Sequence, residues 1–192
     1  MAFELSQVVV DGDSRSTGTW PTDAAALAST ARAQPVGFPL NNLAVGGKTV
    51  ATMITNDTTA ADGIRRTDLP KQIAVIWGGL NDDGNGVGAD YTTIHTRLAT
   101  WCAARKAAGF RVVVCTEIDC QSVDGLVRWH TDYLLLNNLI RANYTTYADA
   151  LADLGGDARL QDATNGTYFN ADKTHLIAAG YTVVAGIVGA VL

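Results

Sequence analysis

The sequence predicts an α/β fold, a three-layer α/β/α sandwich in which helices cover both faces of a parallel sheet. Three observations carry this expectation. Short β-branched runs alternate with longer segments of helical periodicity, the pattern left by strand–crossover–strand units. Several of those runs are continuously apolar instead of alternating, as strands covered on both faces are. Apolar residues make up 47% of the 192 residues and charged residues only 17%, a balance that can bury a sizeable core and argues against disorder.

The first strand is expected at 7–10, where Val8-Val9-Val10 runs straight into Asp11. A helix at 20–32, a strand at 40–45, a helix at 50–62 and a strand at 73–77 follow. A helix at 91–108 stops at Gly109, the residue type that most easily ends a helix, before a strand at 111–116. A long helix at 126–154, a weaker fifth strand at 159–162 and a closing helix at 175–191 complete the series. No repeat, low-complexity stretch or linker interrupts the pattern, so residues 1–192 read as one domain.

Composition also excludes function classes. Lys and Arg number 14 against 19 Asp and Glu, a net charge of −5, and the basic residues are scattered. Such a surface repels a phosphate backbone, so no nucleic-acid partner is expected. The most apolar stretch, 177–192, is shorter than the ~20 residues that cross a bilayer. It contains Gly180, Thr182, Gly186 and Gly189 and reads as a core-facing helix, so no membrane partner is expected either. The first residues lack the basic start and long apolar run of a secretory signal. Cys102, Cys115 and Cys120 are too few, and odd in number, for a disulfide framework. The expected compartment is cytoplasmic or left open, and the oligomeric state is not legible. Asn56, Asn143 and Asn165 each begin an Asn-x-Thr sequon, which matters only in a secreted chain.

In open parallel sheets, ligands gather beyond the carboxyl ends of the strands. The loops to read are therefore Asp11-Gly12-Asp13-Ser14, Gly46-Gly47-Lys48-Thr49 and Gly78-Gly79-Leu80-Asn81-Asp82. A hydroxyl such as that of Ser14 needs a positioned base, usually His, oriented in turn by a carboxylate. Of the three histidines, His95 and His130 fall inside expected helices and read as ordinary surface or half-buried residues. His175 follows Asp172 by three residues in a loop before the last helix. That spacing lets the carboxylate reach imidazole Nδ1 and leaves Nε2 free to take a proton; a helix-capping Asp beside an incidental His explains the pattern equally well. Oxyanion donors are available from the backbone N–H groups of Ser14 and Gly47, with the Asn81 carboxamide as a third. Taken singly, Asn81 also reads as a turn residue.

Gly12-Asp13-Ser14, Gly47, Gly79-Leu80-Asn81-Asp82 and Asp172-Lys173-Thr174-His175 occur in an order that resembles the SGNH (GDSL-type) hydrolases. The segment from Asp172 to Tyr181 is similar to that family's last block, so the resemblance runs through the chain end to end. It implies a flavodoxin-like sandwich with about five parallel strands. It also implies Ser14 as nucleophile, His175 as general base and then acid, and Asp172 as the residue orienting His175. The N–H groups of Ser14 and Gly47 and the Asn81 side chain would form the oxyanion hole, and Asp13 would hold the nucleophile loop. Two features depart from the pattern or leave it open. Arg15 follows the nucleophile where the family's name motif has Leu. The second block offers both Gly46 and Gly47, of which Gly47 is preferred because Lys48-Thr49 follows it.

Other signals fall away. Gly84-Asn85-Gly86-Val87-Gly88-Ala89 fits a degenerate dinucleotide fingerprint, but Asp82 and Asp83 precede it and would repel a pyrophosphate. A calcium loop counted from Asp83 places Ile94 where Glu is needed. Cys115 and Cys120 have no ligand spacing for zinc. No metal and no cofactor are expected. The sequence thus predicts a serine esterase acting through an acyl-enzyme on short-chain, above all acetyl, esters of a carbohydrate or similar small molecule. Thioesterase, lysophospholipase or acyltransferase chemistry on the same site, and a non-catalytic sugar-binding module, are the alternatives. Trp20, Asp82, Tyr168 and Phe169 are expected to line the pocket, with Trp77 equally at home in the core.

Overall fold

The computed structural model describes residues 6–17, 40–84, 87–121 and 129–192, with backbone only at 57–59. Its centre is a five-stranded sheet of β1 (Ser6–Gly12), β2 (Leu40–Asn42), β3 (Lys71–Trp77), β4 (Arg111–Cys115) and β5 (Ala150–Ala152). Every pairing is parallel and the strand order is β2-β1-β3-β4-β5. This is the flavodoxin-like order, and β1 and β3 are the strands at which it reverses direction. The helices are α1 (Val50–Gly63), the single turn α2 (Leu80–Asp83), α3 (Tyr91–Ala107), α4 (Trp129–Asn143) and α5 (Ala178–Gly189).

The continuous apolar runs of β1, β3 and β4 become two cores because successive side chains point to opposite faces. Val9, Ala74, Ile76, Val112 and Val114 pack with Met53 of α1, Leu98 and Trp101 of α3, and Leu136 and Ile140 of α4. Val8, Val10, Ile73, Val75 and Val113 pack on the other face with Val184, Ala185 and Val188 of α5. Burying a Val or Leu side chain contributes roughly 1.5–3 kcal/mol relative to leaving it exposed, so each face holds its helices firmly. Among the described residues, no helix is long and apolar enough to cross a membrane.

Three expectations need correction. The helix expected over 126–154 stops at Asn143, whose Nδ2 donates to the Leu139 carbonyl 2.8 Å away in the last turn. The chain then makes a 3-10 turn at Tyr144–Thr146 and enters the sheet. Asp149 drives that entry. Its carboxylate accepts from the Val112 amide at 2.8 Å, while its own N–H donates to the Val112 carbonyl. The fifth strand is therefore Ala150–Ala152, and 159–162 is not a strand: a 3-10 turn over Ala158–Leu160 begins there, with the Asp157 side chain accepting from the Arg159 amide. The β2 run is also shorter than the expected 40–45, ending at Asn42. The helix expected at 20–32 lies outside the described residues.

Candidate active site

The loops that leave β1, β2 and β3 meet at one end of the sheet, and their side chains hold one another. Beyond β1, Asp13 forms the frame of a tight turn. Its carbonyl accepts from the Ser16 N–H and its carboxylate from the Arg15 N–H, both at 2.9 Å. Ser14 sits at the crest of this turn, its carbonyl taking bonds from Thr17 N–H and Oγ1. Gly12 is required beneath it: a Cβ there would lie 2.5 Å from the Trp77 carbonyl and closer still to Ser16 Oγ.

Beyond β2, the Val45–Lys48 turn closes with Lys48 N–H donating to the Val45 carbonyl at 3.1 Å, and Gly47 takes the positive φ (+76°) that such a turn favours. Gly46 is the residue of this turn that faces Ser14, since a Cβ on it would stand 3.8 Å from Ser14 Cβ. Lys48 Nζ reaches back to Asp11 Oδ1 at 2.7 Å, joining this loop to β1. Beyond β3, the Asn81 Nδ2 donates to the Lys48 carbonyl at 3.2 Å, so the carboxamide is tied to the Gly47 loop.

His175 reaches the same place from the other end of the chain. An isolated antiparallel bridge between Phe169 and Leu176 closes the loop that carries it. Within that loop Asn170 N–H donates to the His175 carbonyl at 2.8 Å, and Lys173 adopts a left-handed φ of 55°. Asp172 Oδ1 accepts from the Thr174 and His175 amides, each at 2.9 Å, and Oδ2 lies 2.8 Å from His175 Nδ1. His175 Nε2 lies 2.8 Å from Ser14 Oγ. An ionised carboxylate only accepts, so Nδ1 carries a proton, and in the neutral imidazole Nε2 accepts from Ser14 Oγ. Burial pushes the Asp172 carboxyl up, but the His175 amide and imidazole and the Thr174 amide outweigh it and hold the carboxyl below its usual range. The Asp172 and His175 side chains are 46% and 36% exposed.

The expected pocket residues divide. Asp82 is fully buried and lines nothing: its carboxylate accepts from the Val50 N–H at the start of α1 and pairs with Arg97, each at 2.7 Å. A carboxylate at a helix N-terminus offsets the partial positive charge there, which accounts for its place. Phe169 and Trp77 are core residues of the α5 side. Tyr168 remains half-buried, and Trp20 lies outside the described residues. A depression of about 500 Å³ bordered by Arg159, Val183, Ile187 and Val191 runs along α5 and includes none of Ser14, Asp172 or His175. The three cysteines are buried thiols, and burial pushes Cys102 and Cys115 up and away from thiolate chemistry. Among the described residues no three His, Cys, Asp or Glu side chains converge as a metal site.

Sequence reasoning missed two arrangements. Arg15 is fully buried, paired with Asp13 at 3.0 Å and Glu117 at 2.8 Å. His130, expected to be an ordinary helix residue, has its Nδ1 2.8 Å from the buried Asp119 carboxylate, while the ring itself is 58% exposed. Neither has a local sequence signal, because Glu117 and Asp119 follow β4 and meet partners brought in by the fold.

No protein-family model matches the chain, and no curated protein matches it in sequence. Solved structures do. A lipolytic protein of the G-D-S-L family from Veillonella parvula superposes with a TM-score of 0.72 at 20% identity, covering 95% of each chain. A carbohydrate esterase family 3 protein from Talaromyces cellulolyticus gives 0.70 at 17% identity, covering 96% of this chain and 94% of the other. The acetyl xylan esterase AlAXEase gives 0.68 at 17% identity, covering 95% and 97%. The five-stranded parallel sheet and its flanking helices are thus the α/β/α fold of the SGNH (GDSL-type) hydrolases.

Proposed function

We propose that the chain is a serine esterase of the SGNH type that cleaves short-chain acyl esters, acetyl esters foremost, on a carbohydrate or comparable polar alcohol. The observation that carries this reading is the continuous Asp172–His175–Ser14 relay, with both contacts at 2.8 Å. In this reading His175 Nε2 takes the Ser14 Oγ proton as Oγ attacks the ester carbonyl. Asp172 holds the imidazole in the needed tautomer and stabilises the imidazolium. The oxyanion is met by backbone N–H groups of the Ser14 turn and the Gly46-Gly47 turn, and by the Asn81 carboxamide. His175 then protonates the leaving alcohol, and water deacylates Ser14 by the same route in reverse.

The short-acyl preference is supported by the exposure of the Asp172 and His175 side chains. The carbohydrate part of the proposal draws on the solved relatives named for sugar esters and on the half-buried Tyr168. A serine-directed organophosphonate, followed by peptide mapping, tests the nucleophile: one adduct on Ser14, absent in His175→Ala, is expected. Ser14→Ala and His175→Ala should each lower kcat by roughly 10⁴–10⁶, with the double variant little worse. On p-nitrophenyl esters the acetate should be the best substrate; a preference for long chains overturns the acyl assignment. Adding an alcohol acceptor and measuring acyl partition separates hydrolysis from acyl transfer.

A further inference from the structure

We propose that Arg15 and Glu117 are positioning residues of this site: their buried contact ties the turn carrying Ser14 to the loop beyond β4 that α4 holds in place. The inference rests on the serine-esterase reading for its kinetic consequences, but its geometry stands apart. Arg15 uses its whole fork. Nε and Nη2 lie 3.3 and 3.0 Å from the two oxygens of Asp13, and Nη1 lies 2.8 Å from Glu117 Oε2. Its guanidinium stacks 5.0 Å above the Trp77 ring at the end of β3.

Glu117 is itself held from behind. Its N–H donates to Asn137 Oδ1 and its carbonyl accepts from Asn137 Nδ2, each at 2.7 Å, so α4 fixes the backbone there. Its other carboxylate oxygen faces Gly79, where a Cβ would stand only 3.3 Å away, and Gly79 (φ +146°) opens the turn that presents Asn81. A chain of contacts therefore runs from α4 through Glu117 and Arg15 to Asp13 and the Ser14 turn. The Ser14 turn is held against α4 through one guanidinium. A planar fork is needed for this, because a lysine ammonium is a point charge that cannot engage both carboxylates in these directions.

The test uses Arg15→Lys and Glu117→Gln, with Arg15→Met as the more disruptive variant, each checked for folding by circular dichroism. A misplacement of about 1 Å in a reacting group costs on the order of 10²-fold, so Arg15→Lys should lose about that in kcat on p-nitrophenyl acetate, and Glu117→Gln about tenfold. KM should stay within about threefold, since neither residue lies at the surface that meets substrate. The phosphonate labelling rate at Ser14 should fall in step with kcat. Folded Arg15→Lys and Glu117→Gln proteins with wild-type kcat and labelling overturn the proposal, whatever Arg15→Met does. A readout without turnover completes it. The Arg15 and Ser16 amides, both bonded to Asp13, should exchange with deuterium faster in Arg15→Lys, and unchanged exchange also overturns the proposal. Wild-type protein that neither hydrolyses nor labels overturns the esterase reading alone, and the exchange result still decides whether Arg15 holds the turn.

Discussion

Asp172 serves His175 in two ways at once, and the two can be separated by one atom. Its Oδ1 takes the Thr174 and His175 amides, while Oδ2 takes imidazole Nδ1. In Asp172→Asn the carboxamide oxygen keeps the two amides, so its NH₂ must face Nδ1. The imidazole then carries its proton on Nε2, pointing at Ser14, and cannot accept from it. We expect kcat to fall by roughly 10³–10⁴ with the fold intact, somewhat less than for a fully buried carboxylate because water reaches this one. Steady-state kinetics checks this, and a loss below tenfold contradicts it. In the proposed reaction Asn81→Ala removes one oxyanion donor, and it should cost about 10²–10³ in kcat with little change in KM. Near-wild-type turnover in a folded Asn81→Ala protein rules out that role. That these residues meet was legible in the sequence because each stands at a strand end or within a short local spacing, and Asp-x-x-His is complete within one loop. Arg15–Glu117 and Asp119–His130 were not legible, since a pairing across the fold leaves no mark in local order. Asp82 and Phe169 were misread for a related reason: proximity in sequence to a site residue says nothing about which way a side chain faces.

Helices and strands place these residues only as well as they pack, and α5 shows how narrow the tolerance is. Gly180, in its first turn, lies against the Tyr168 carbonyl and Leu176, the two ends of the loop that carries Asp172 and His175. A Cβ there would meet the Tyr168 backbone oxygen at a distance no real side chain adopts, and Leu176 Cδ2 at 2.9 Å. Alanine is the better helix former by roughly 0.5–1 kcal/mol, yet overpacking costs typically 1–3 kcal/mol, so Gly180→Ala should be destabilising overall. It should also lower kcat, because the clash is relieved by moving the His175 loop. Gly78→Ala is the control: its Cβ would press on the flexible end of Met53, at 2.9 Å from Cε, with Val50 Cγ2 at an ordinary 3.6 Å. Urea denaturation of both variants tests the contrast, and equal or reversed losses contradict it. The strong apolar runs made β1, β3 and β4 readable. By contrast, β5 is Ala-Leu-Ala without a β-branched residue, and what puts it in the sheet is Asp149 bonding to Val112. A tertiary contact decided that element, which is why propensity placed the strand nine or ten residues late and ran the preceding helix through it.

Across the whole molecule the ionisable groups pull stability in opposite directions with pH. Asp90, at the start of α3, is held down to about 2 by hydrogen bonds from the Thr92 hydroxyl and Thr93 amide. At Asp153, burial pushes the carboxyl up but Arg141 and Thr116 prevail and hold it down. A carboxyl lowered in the folded state stabilises the fold above its unfolded pKa, and that contribution disappears as pH falls through the folded value. Glu117 runs the other way. Burial, with the Asp13 carboxylate beside it, pushes its carboxyl above the ordinary value of 4.5 against the pull of Arg15. One guanidinium faces two carboxylates there, so the folded protein retains a proton that the unfolded chain has already released. Its contribution to stability is fully present below the unfolded value and declines as pH rises through the raised one. The wild-type melting temperature should therefore rise out of the acid range, pass a maximum and decline. Glu117→Gln removes the declining limb. The difference in melting temperature, variant minus wild type, should grow between about pH 5 and pH 8 and level off below about pH 4. A difference independent of pH would mean that Glu117 is ionised throughout and that the pair with Arg15 outweighs its burial. The Arg15–Glu117 contact would then be the stronger element of the framework under Ser14.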